Sequence, residues 1–273
     1  MFRNSFVNPK ASQPGSTVLQ RPTEKRKKVV MVIPAYNEDK RIESVVEHMI
    51  TLLQEQTNYD FKIVIAEEGS KDCTYLMAKL LERRHPERVK VLHRDNRIGR
   101  GYSVKEAWRS EEADIYCYAD ADLPFGYKDV LNVIKAIEEG KCDVATGSRY
   151  LRSSSTIRPA LRLFVSFIYN KLVQFITNSK LRDHQCGLKA VNPMIVNSVV
   201  KLSKEKHWSW DSEILVLSQL SGFKVQEIPI TWIERRHKRT PLKRTIKDVT
   251  EHSRWLFSFP IKTRSTISKS RGF

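Results

Sequence analysis

A chain of 273 residues, 40% hydrophobic and 29% charged, is long enough to bury a sizeable core and too apolar to be a disordered chain. Lys and Arg number 48 against 31 Asp and Glu, a formal net charge of +17. That excess points to an anionic partner: nucleic acid, acidic lipid headgroups or a phosphorylated substrate. Four widely spaced cysteines (Cys73, Cys117, Cys142, Cys186) with no C-x-x-C argue against a zinc or thioredoxin-type site and fit reduced thiols in a cytoplasmic setting.

Residues 1–28 are polar, contain Pro and Ser, and end in the basic run Lys25, Arg26, Lys27, Lys28. They read as a flexible basic arm without the apolar core of a signal peptide. An apolar run at 28–34 predicts a buried strand, and Ile42, Val45, Val46, Met49, Ile50 and Leu53 recur at helical spacing. The alternation continues: strand 61–66, helix 73–84, strand 89–92, helix 101–110, strand 114–119, helix 128–139, strand 143–146. Alternating strands and helices predict right-handed βαβ units and a mostly parallel twisted sheet flanked by helices, an α/β fold. Residues 158–177 predict an amphipathic helix with Leu161, Phe164, Phe167, Leu172 and Phe175 beside Arg158, Arg162 and Lys171. Two readings stay open for it, a core-facing helix or one lying in a membrane interface. A helix at 210–220 follows, then a strand at 223–232, placed at an edge because Pro229 cannot donate to a ladder. The basic run 235–239 and a helix at 245–257 close the chain. No apolar stretch reaches the roughly 20 residues of a membrane span.

In open α/β sheets, ligands bind beyond the carboxyl ends of the strands. The polar clusters of this chain lie at such ends: 34–38, 67–72, Asp95 with Asn96, 120–122 and 147–150. Among them, Asp120 and Asp122 offer hard oxygen ligands aimed at one point, suited to Mg²⁺ or Mn²⁺ bound together with a diphosphate. Gly99 and Gly101 lack the third glycine of a dinucleotide fingerprint, and no P-loop, G-x-S-x-G or H-E-x-x-H occurs. His184 and His207 read as structural or surface groups.

The segments Val-Ile-Pro-Ala-Tyr-Asn-Glu (32–38), Glu-Glu-Gly-Ser-Lys-Asp (67–72), Asp-Ala-Asp-Leu (120–123) and Gly-Ser-Arg-Tyr (147–150), in this order, resemble the GT-A fold of family 2 glycosyltransferases. Arg-Asp-His-Gln-Cys-Gly-Leu-Lys (182–189) and Trp-Asp-Ser-Glu (210–213) resemble its polyprenyl-phosphate branch, most of all dolichyl-phosphate glucosyltransferases and then dolichyl-phosphate mannosyltransferases. The resemblance runs from about residue 28 to 239. It implies a nucleotide-sugar pocket lined by Pro34, Tyr36, Glu38, Glu67, Ser70, Arg100 and Asp120, and a metal held by Asp120 and Asp122. Glu67 stands where the family usually has an Asp that meets the base, so the carboxylate sits on an arm one methylene longer. Many mannosyl relatives carry a Gln where this chain has Pro124; water would replace that ligand. Asp211 matches the catalytic base of relatives with hydroxyl acceptors. Here it is read as positioning the acceptor or contacting the sugar, with a structural role at the helix start as the alternative.

A diphosphate leaving group needs its charge neutralised as the glycosidic bond breaks, and a divalent metal does this as a Lewis acid. A phosphate monoester acceptor, largely dianionic above its second pKa of about 6, is already a nucleophile and needs cationic positioning more than a base. Arg149, Arg158, Arg162 and Arg235 are the candidates, with Arg149 first because it ends a strand.

The sequence therefore predicts a flexible arm (1–28), a GT-A glycosyltransferase domain (29–240) and a basic C-terminal extension (241–273). The expected reaction is an inverting, metal-dependent hexose transfer to a dolichyl or polyprenyl phosphate, from UDP-glucose by preference or GDP-mannose. The protein would sit peripherally against an anionic membrane surface on the cytoplasmic side, or beside a separate membrane subunit that delivers the acceptor. One rival is a transferase acting on a sugar hydroxyl, which requires Asp211 as base. A basic nucleic-acid-binding protein is the other, disfavoured because strand-end carboxylates repel phosphates and the 235–239 run has only Trp232 near it.

Overall fold

The computed structural model describes residues 26–56 and 58–234, together with 255, 256 and 259. Four strands form a parallel block at one side of the main sheet. They are β1 (Lys27–Ala35), β2 (Tyr59–Glu68), β3 (Val89–Arg94) and β4 (Ile115–Ala119), with β1 between β2 and β4 and β3 at the edge. Beyond β4 come β7 (Leu188–Val191), β5 (Val144–Ser148) and, at the other edge, β8 (Val225–Pro229). β7 runs antiparallel to both neighbours; β5 and β8 are parallel. The strand order reverses between β1 and β4, so the end of β4 lies at the topological switch point where open sheets bind ligands.

β1 shows why these runs become central strands. Val29, Met31, Ile33 and Ala35 face one layer, with α1 (Ile42–Gln54), α2 (Thr74–Arg84) and α4 (Tyr127–Glu138) packed there. Val30 and Val32 face the other, against α3 (Arg100–Arg109) and α8 (Trp210–Leu220). Period-2 alternation combined with helices on both faces demands an apolar residue at nearly every position. Trp108, Tyr118 and Trp210 interlock in the second layer with ring centroids 5.6–6.2 Å apart. Trp255, Leu256 and Phe259 are buried in the same layer.

Three expectations need correction. The antiparallel β7 begins at the end of the 182–189 motif and carries no strand signal of its own, being four residues long and interrupted by Lys189. The predicted strand 223–232 is two strands: Ile230 separates β8 from β9 (Thr231–Ile233), which leaves the main sheet to pair with β6 (Ser155–Ile157). β8 does lie at an edge. The third correction concerns α5 (Ala160–Thr177), which begins after Pro159 and is turned inside out. Ser166, Asn170, Val173 and Thr177 face inward, whereas Phe164 is 62% exposed, Phe167 50% and Phe175 89%. An ordinary core-facing helix shows the opposite arrangement, so the core-facing reading fails. Among the described residues, no helix is long and apolar enough to cross a membrane. β1 begins at Lys27, within the span read as an arm; most of that arm, Arg235 and most of the predicted helix 245–257 lie outside the described residues.

Candidate active site

The turn after β1 places Asn37 in the left-handed region (φ 54°) and ties two strand-end loops together. Asn37 N–H donates to Ser70 Oγ (3.0 Å), and Lys71 N–H returns to Asn37 Oδ1 (2.8 Å). Pro34 is half-buried, between the buried Ile33 and Ala35 at the end of β1. Tyr36 carries the Arg97 guanidinium 4.2 Å above its ring, and Arg97 reaches Glu68 at 3.4 Å. Glu38 pairs with Arg41 at 3.0 Å and receives Arg41 N–H on its carbonyl. Pro34, Tyr36, Glu38 and Ser70 thus gather at one sheet end.

Glu67 does not present its carboxylate to that space. The side chain is fully buried and accepts from Ser70 N–H (2.6 Å), Gly69 N–H (3.3 Å) and the His93 ring at 2.5 Å. The extra methylene carries the carboxylate beneath the 67–72 loop, where it holds the loop's shape. Glu68 does the same for the next loop, accepting from Gly99 N–H (3.1 Å) and Ser103 Oγ.

Asp120 and Asp122 lie on one tight turn closed by Leu123 N–H to Asp120 O (3.0 Å). Leu123 has φ 35°, a conformation a leucine holds only when its surroundings enforce it, and Leu123 is buried. Gly187, just before β7, accepts the Asp120 N–H on its carbonyl (2.9 Å); a Cβ there would overlap the Asp120 carboxylate. Among the described residues, no three His, Cys, Asp or Glu side chains group to cage a metal. Two carboxylates on one turn still fit Mg²⁺ or Mn²⁺, which take one or two protein carboxylates and complete their shell with phosphate oxygens and water.

The Asp120 carboxylate accepts from Arg100 Nη1 (2.7 Å), and Arg100 Nη2 pairs with Asp211. Arg100 therefore bridges the switch-point carboxylate to α8. Burial opposes its charge, but Asp120 holds its pKa above the usual value, and the Trp208 ring lies 4.1 Å away. Asp211 is fully buried and also accepts from Lys189 Nζ (2.7 Å) and the Tyr118 hydroxyl. Lys189, likewise fully buried, adds bonds to Cys186 O (2.5 Å) and Tyr118 Oη (3.4 Å). Burial pushes the Lys189 ammonium down to about 7. Asp211, expected near the acceptor or sugar, is instead the sealed counter-ion of two cations.

Arg149, first among the acceptor candidates, is bound inside the protein. Its Nε and Nη2 go to the two oxygens of Asp183 at 2.7 Å each, and its backbone N–H adds a third bond at 3.0 Å. Asp183 is fully buried, which alone would raise its pKa, yet the Arg149 charge and these hydrogen bonds hold it below the usual carboxylate value. The bidentate fork expected for a phosphate is occupied by this pair. Arg158 and Arg162 converge on Glu234 instead: Arg158 Nε at 3.1 Å and Arg162 Nη1 at 2.9 Å. Burial, with Arg149 close by, lowers the Arg158 pKa. Arg235 lies outside the described residues. His184 is structural, bonded to Asn170 and Ser179 and pushed down to about 4 by burial.

Sequence reasoning gave no role to Asp183, Lys189, Tyr118, Trp208 or Glu234. A signal existed for two of them. Asp183 and Lys189 stand in the 182–189 motif, and a Lys between Leu188 and Ala190 in an otherwise apolar strand demands a buried partner.

A mixed sheet with one reversed strand beside the switch point, and paired carboxylates at the end of β4, define a GT-A fold. The sequence pattern of Glycosyl transferase family 2 matches residues 30–199, and the chain belongs to that family. It is 34% identical over 235 residues to glycosyltransferase AglD of Haloferax volcanii, covering 83% of this chain and 38% of that protein. It is 27% identical over 215 residues to a dolichyl-phosphate beta-glucosyltransferase of Dictyostelium discoideum (75% of this chain, 66% of that one). The chain thus spans well under half of the first relative and about two thirds of the second. Among solved structures, glucosyl-3-phosphoglycerate synthase from Mycobacterium tuberculosis, in complex with Mn²⁺, UDP and glucosyl-3-phosphoglycerate, aligns with TM-score 0.60 at 15% identity over 91% of this chain and 86% of that one. The mannosyltransferase PcManGT from Pyrobaculum calidifontis, with GDP-Man and Mn²⁺, gives 0.59 at 16% identity over 89% and 68%. These two likenesses establish the shared fold.

Proposed function

We propose that the protein is an inverting glycosyltransferase that moves a hexose, glucose by preference, from a nucleoside diphosphate sugar to a dolichyl or other polyprenyl phosphate. The observation that carries the choice of acceptor is the sealing of Asp211. A hydroxyl acceptor must lose its proton to a base within hydrogen-bond reach. Asp211, in the position of that base, is fully buried and bound by Arg100, Lys189 and Tyr118. A phosphate dianion brings its own nucleophilic oxygen, which attacks the anomeric carbon as the bond to the diphosphate oxygen breaks on the opposite face; no proton need move. UDP-glucose is favoured over GDP-mannose because the relatives named for a substrate at 24–27% identity are dolichyl-phosphate beta-glucosyltransferases.

On the donor side, Tyr36, Glu38, Ser70 and Arg97 would line the nucleoside pocket, and Arg100 would hold the turn that carries Asp120 and Asp122. Mg²⁺ or Mn²⁺ on these two carboxylates would supply Lewis-acid neutralisation of the leaving diphosphate. On the acceptor side, Arg158, just before α5, and Arg162, in its first turn, stand at the start of the helix whose exposed face is apolar. Seven apolar side chains of α5, from Leu161 to Phe175, stand outward with Lys171 among them. That face and the charge of +17 would hold the domain peripherally on the anionic, cytoplasmic side of a membrane. The test is incubation with labelled UDP-glucose or GDP-mannose and polyprenyl phosphate, with and without EDTA. Transfer to polyprenyl phosphate that EDTA abolishes is the expected result. Transfer to a sugar hydroxyl in its place would select the rival reading.

A further inference from the structure

Around the start of α5, three guanidiniums (Arg149, Arg158, Arg162) share two carboxylates (Asp183, Glu234). The two carboxylates are held differently. Asp183 is fully buried, grips Arg149 with both oxygens and takes its backbone N–H as well. Glu234 gives one oxygen to each of two arginines and keeps 12% side-chain exposure; Arg162 keeps 31%. Its own backbone is anchored, Glu234 N–H donating to Ile157 O at 3.0 Å, so the side chain can leave the arginines without the strand moving. Two donors beside this cluster have no partner among the described residues: the buried Trp232 indole N–H, whose ring lies 4.8 Å from the Arg149 guanidinium, and the Ser148 hydroxyl.

A carboxylate and a phosphate offer guanidinium forks the same kind of acceptor oxygen. We propose that Glu234 stands in for the acceptor's phosphate and is displaced by it, which makes Glu234 a specificity-determining residue. The proposal rests on the polyprenyl-phosphate reading above. A phosphate monoester above its second pKa of about 6 carries close to two charges and three terminal oxygens. Such a dianion outcompetes a single carboxylate for Arg158 and Arg162. A phosphodiester carries one charge, matches Glu234 without exceeding it, and stays out. Glu234 thereby selects monoesters over diesters.

Binding of farnesyl phosphate and of its methyl diester to the full chain, without donor or metal, tests this by calorimetry at pH 7.5. The wild type should prefer the monoester by about tenfold or more, a difference of about 1.4 kcal/mol. Glu234→Gln should bind the monoester about tenfold tighter and admit the diester. Arg162→Ala, at a partly exposed site, should lose monoester affinity about tenfold with its melting temperature kept. A Glu234→Gln protein that melts with the wild type and binds the monoester equally or more weakly overturns the role of Glu234 alone. Wild-type affinity in Arg162→Ala overturns the site. No farnesyl phosphate binding by wild type or Glu234→Gln removes the acceptor reading itself, and the proposal with it.

Discussion

Asp211→Asn separates a counter-ion from a base. The substitution keeps the shape of the side chain and removes the one negative charge that Arg100, Lys189 and Tyr118 all address. Breaking a buried ion pair from one side costs about 3–5 kcal/mol, because the remaining charge is left uncompensated. The two cations respond differently. Lys189, already pushed down to about 7 by burial, can shed its proton, at roughly 1.4 kcal/mol per pH unit. Arg100 cannot deprotonate, but it keeps Asp120 as a counter-ion. The loss should therefore fall near the lower end, about 3 kcal/mol, a drop in Tm of roughly 6–12 °C for a domain of this size. Measured well below that Tm, kcat with polyprenyl phosphate should fall by less than about tenfold, and the acid limb of the pH–rate profile should survive. Differential scanning fluorimetry and steady-state kinetics on one preparation provide both readings. Removal of a general base gives the opposite pattern, a kcat loss of about 10²–10⁴. Such a loss with an unchanged Tm would refute the reasoning.

Asp122→Ala should leave less than about a tenth of the transfer activity, a barrier increase above roughly 1.4 kcal/mol, with its circular dichroism unchanged. Asp183→Asn leaves the buried Arg149 unpaired and should lose about 3–5 kcal/mol in urea unfolding. Because the folded Asp183 pKa is depressed, its stabilisation is present above the unfolded value near 3.9 and is lost as pH falls through the folded value. The gap between wild type and variant should accordingly close in acid. Phe164→Glu with Phe167→Glu, at positions 62% and 50% exposed, should keep Tm and abolish the salt-resistant part of sedimentation with anionic vesicles; the charge-dependent part should already fall in 1 M salt, where the Debye length is about 3 Å.

Much of the architecture was legible because both sheet faces are covered. β1, β2 and β4 read as near-continuous apolar runs, and the amphipathic helices between them fixed the α/β alternation. β7 was not legible: four residues with a lysine in the middle give neither alternation nor an apolar run, and only the fold supplies the Asp211 partner that makes Lys189 tolerable there. The periodicity of α5 revealed an apolar face but not its direction. That direction depends on Ser166 and Asn170 finding inward partners, Arg158 and the backbone of the 182–185 loop. The carboxylate pair after β4 was legible from strand position. Arg149 was identified by the same logic, yet its occupant Asp183 lies 34 residues away, a pairing that no local pattern announces. Glu67 shows the same limit: the extra methylene was visible in the sequence, its destination under the loop was not.

The central claim is that the acceptor is an anionic lipid phosphate which needs no protein base. The most direct measurement compares hexose transfer from labelled UDP-glucose to polyprenyl phosphate and to the matching polyprenol, under identical conditions with Mn²⁺ present. The account predicts radiolabelled lipid from the phosphate, none from the alcohol, and no product from either after EDTA. Equal transfer to the alcohol, or product from neither lipid alongside product from a sugar hydroxyl, would contradict it.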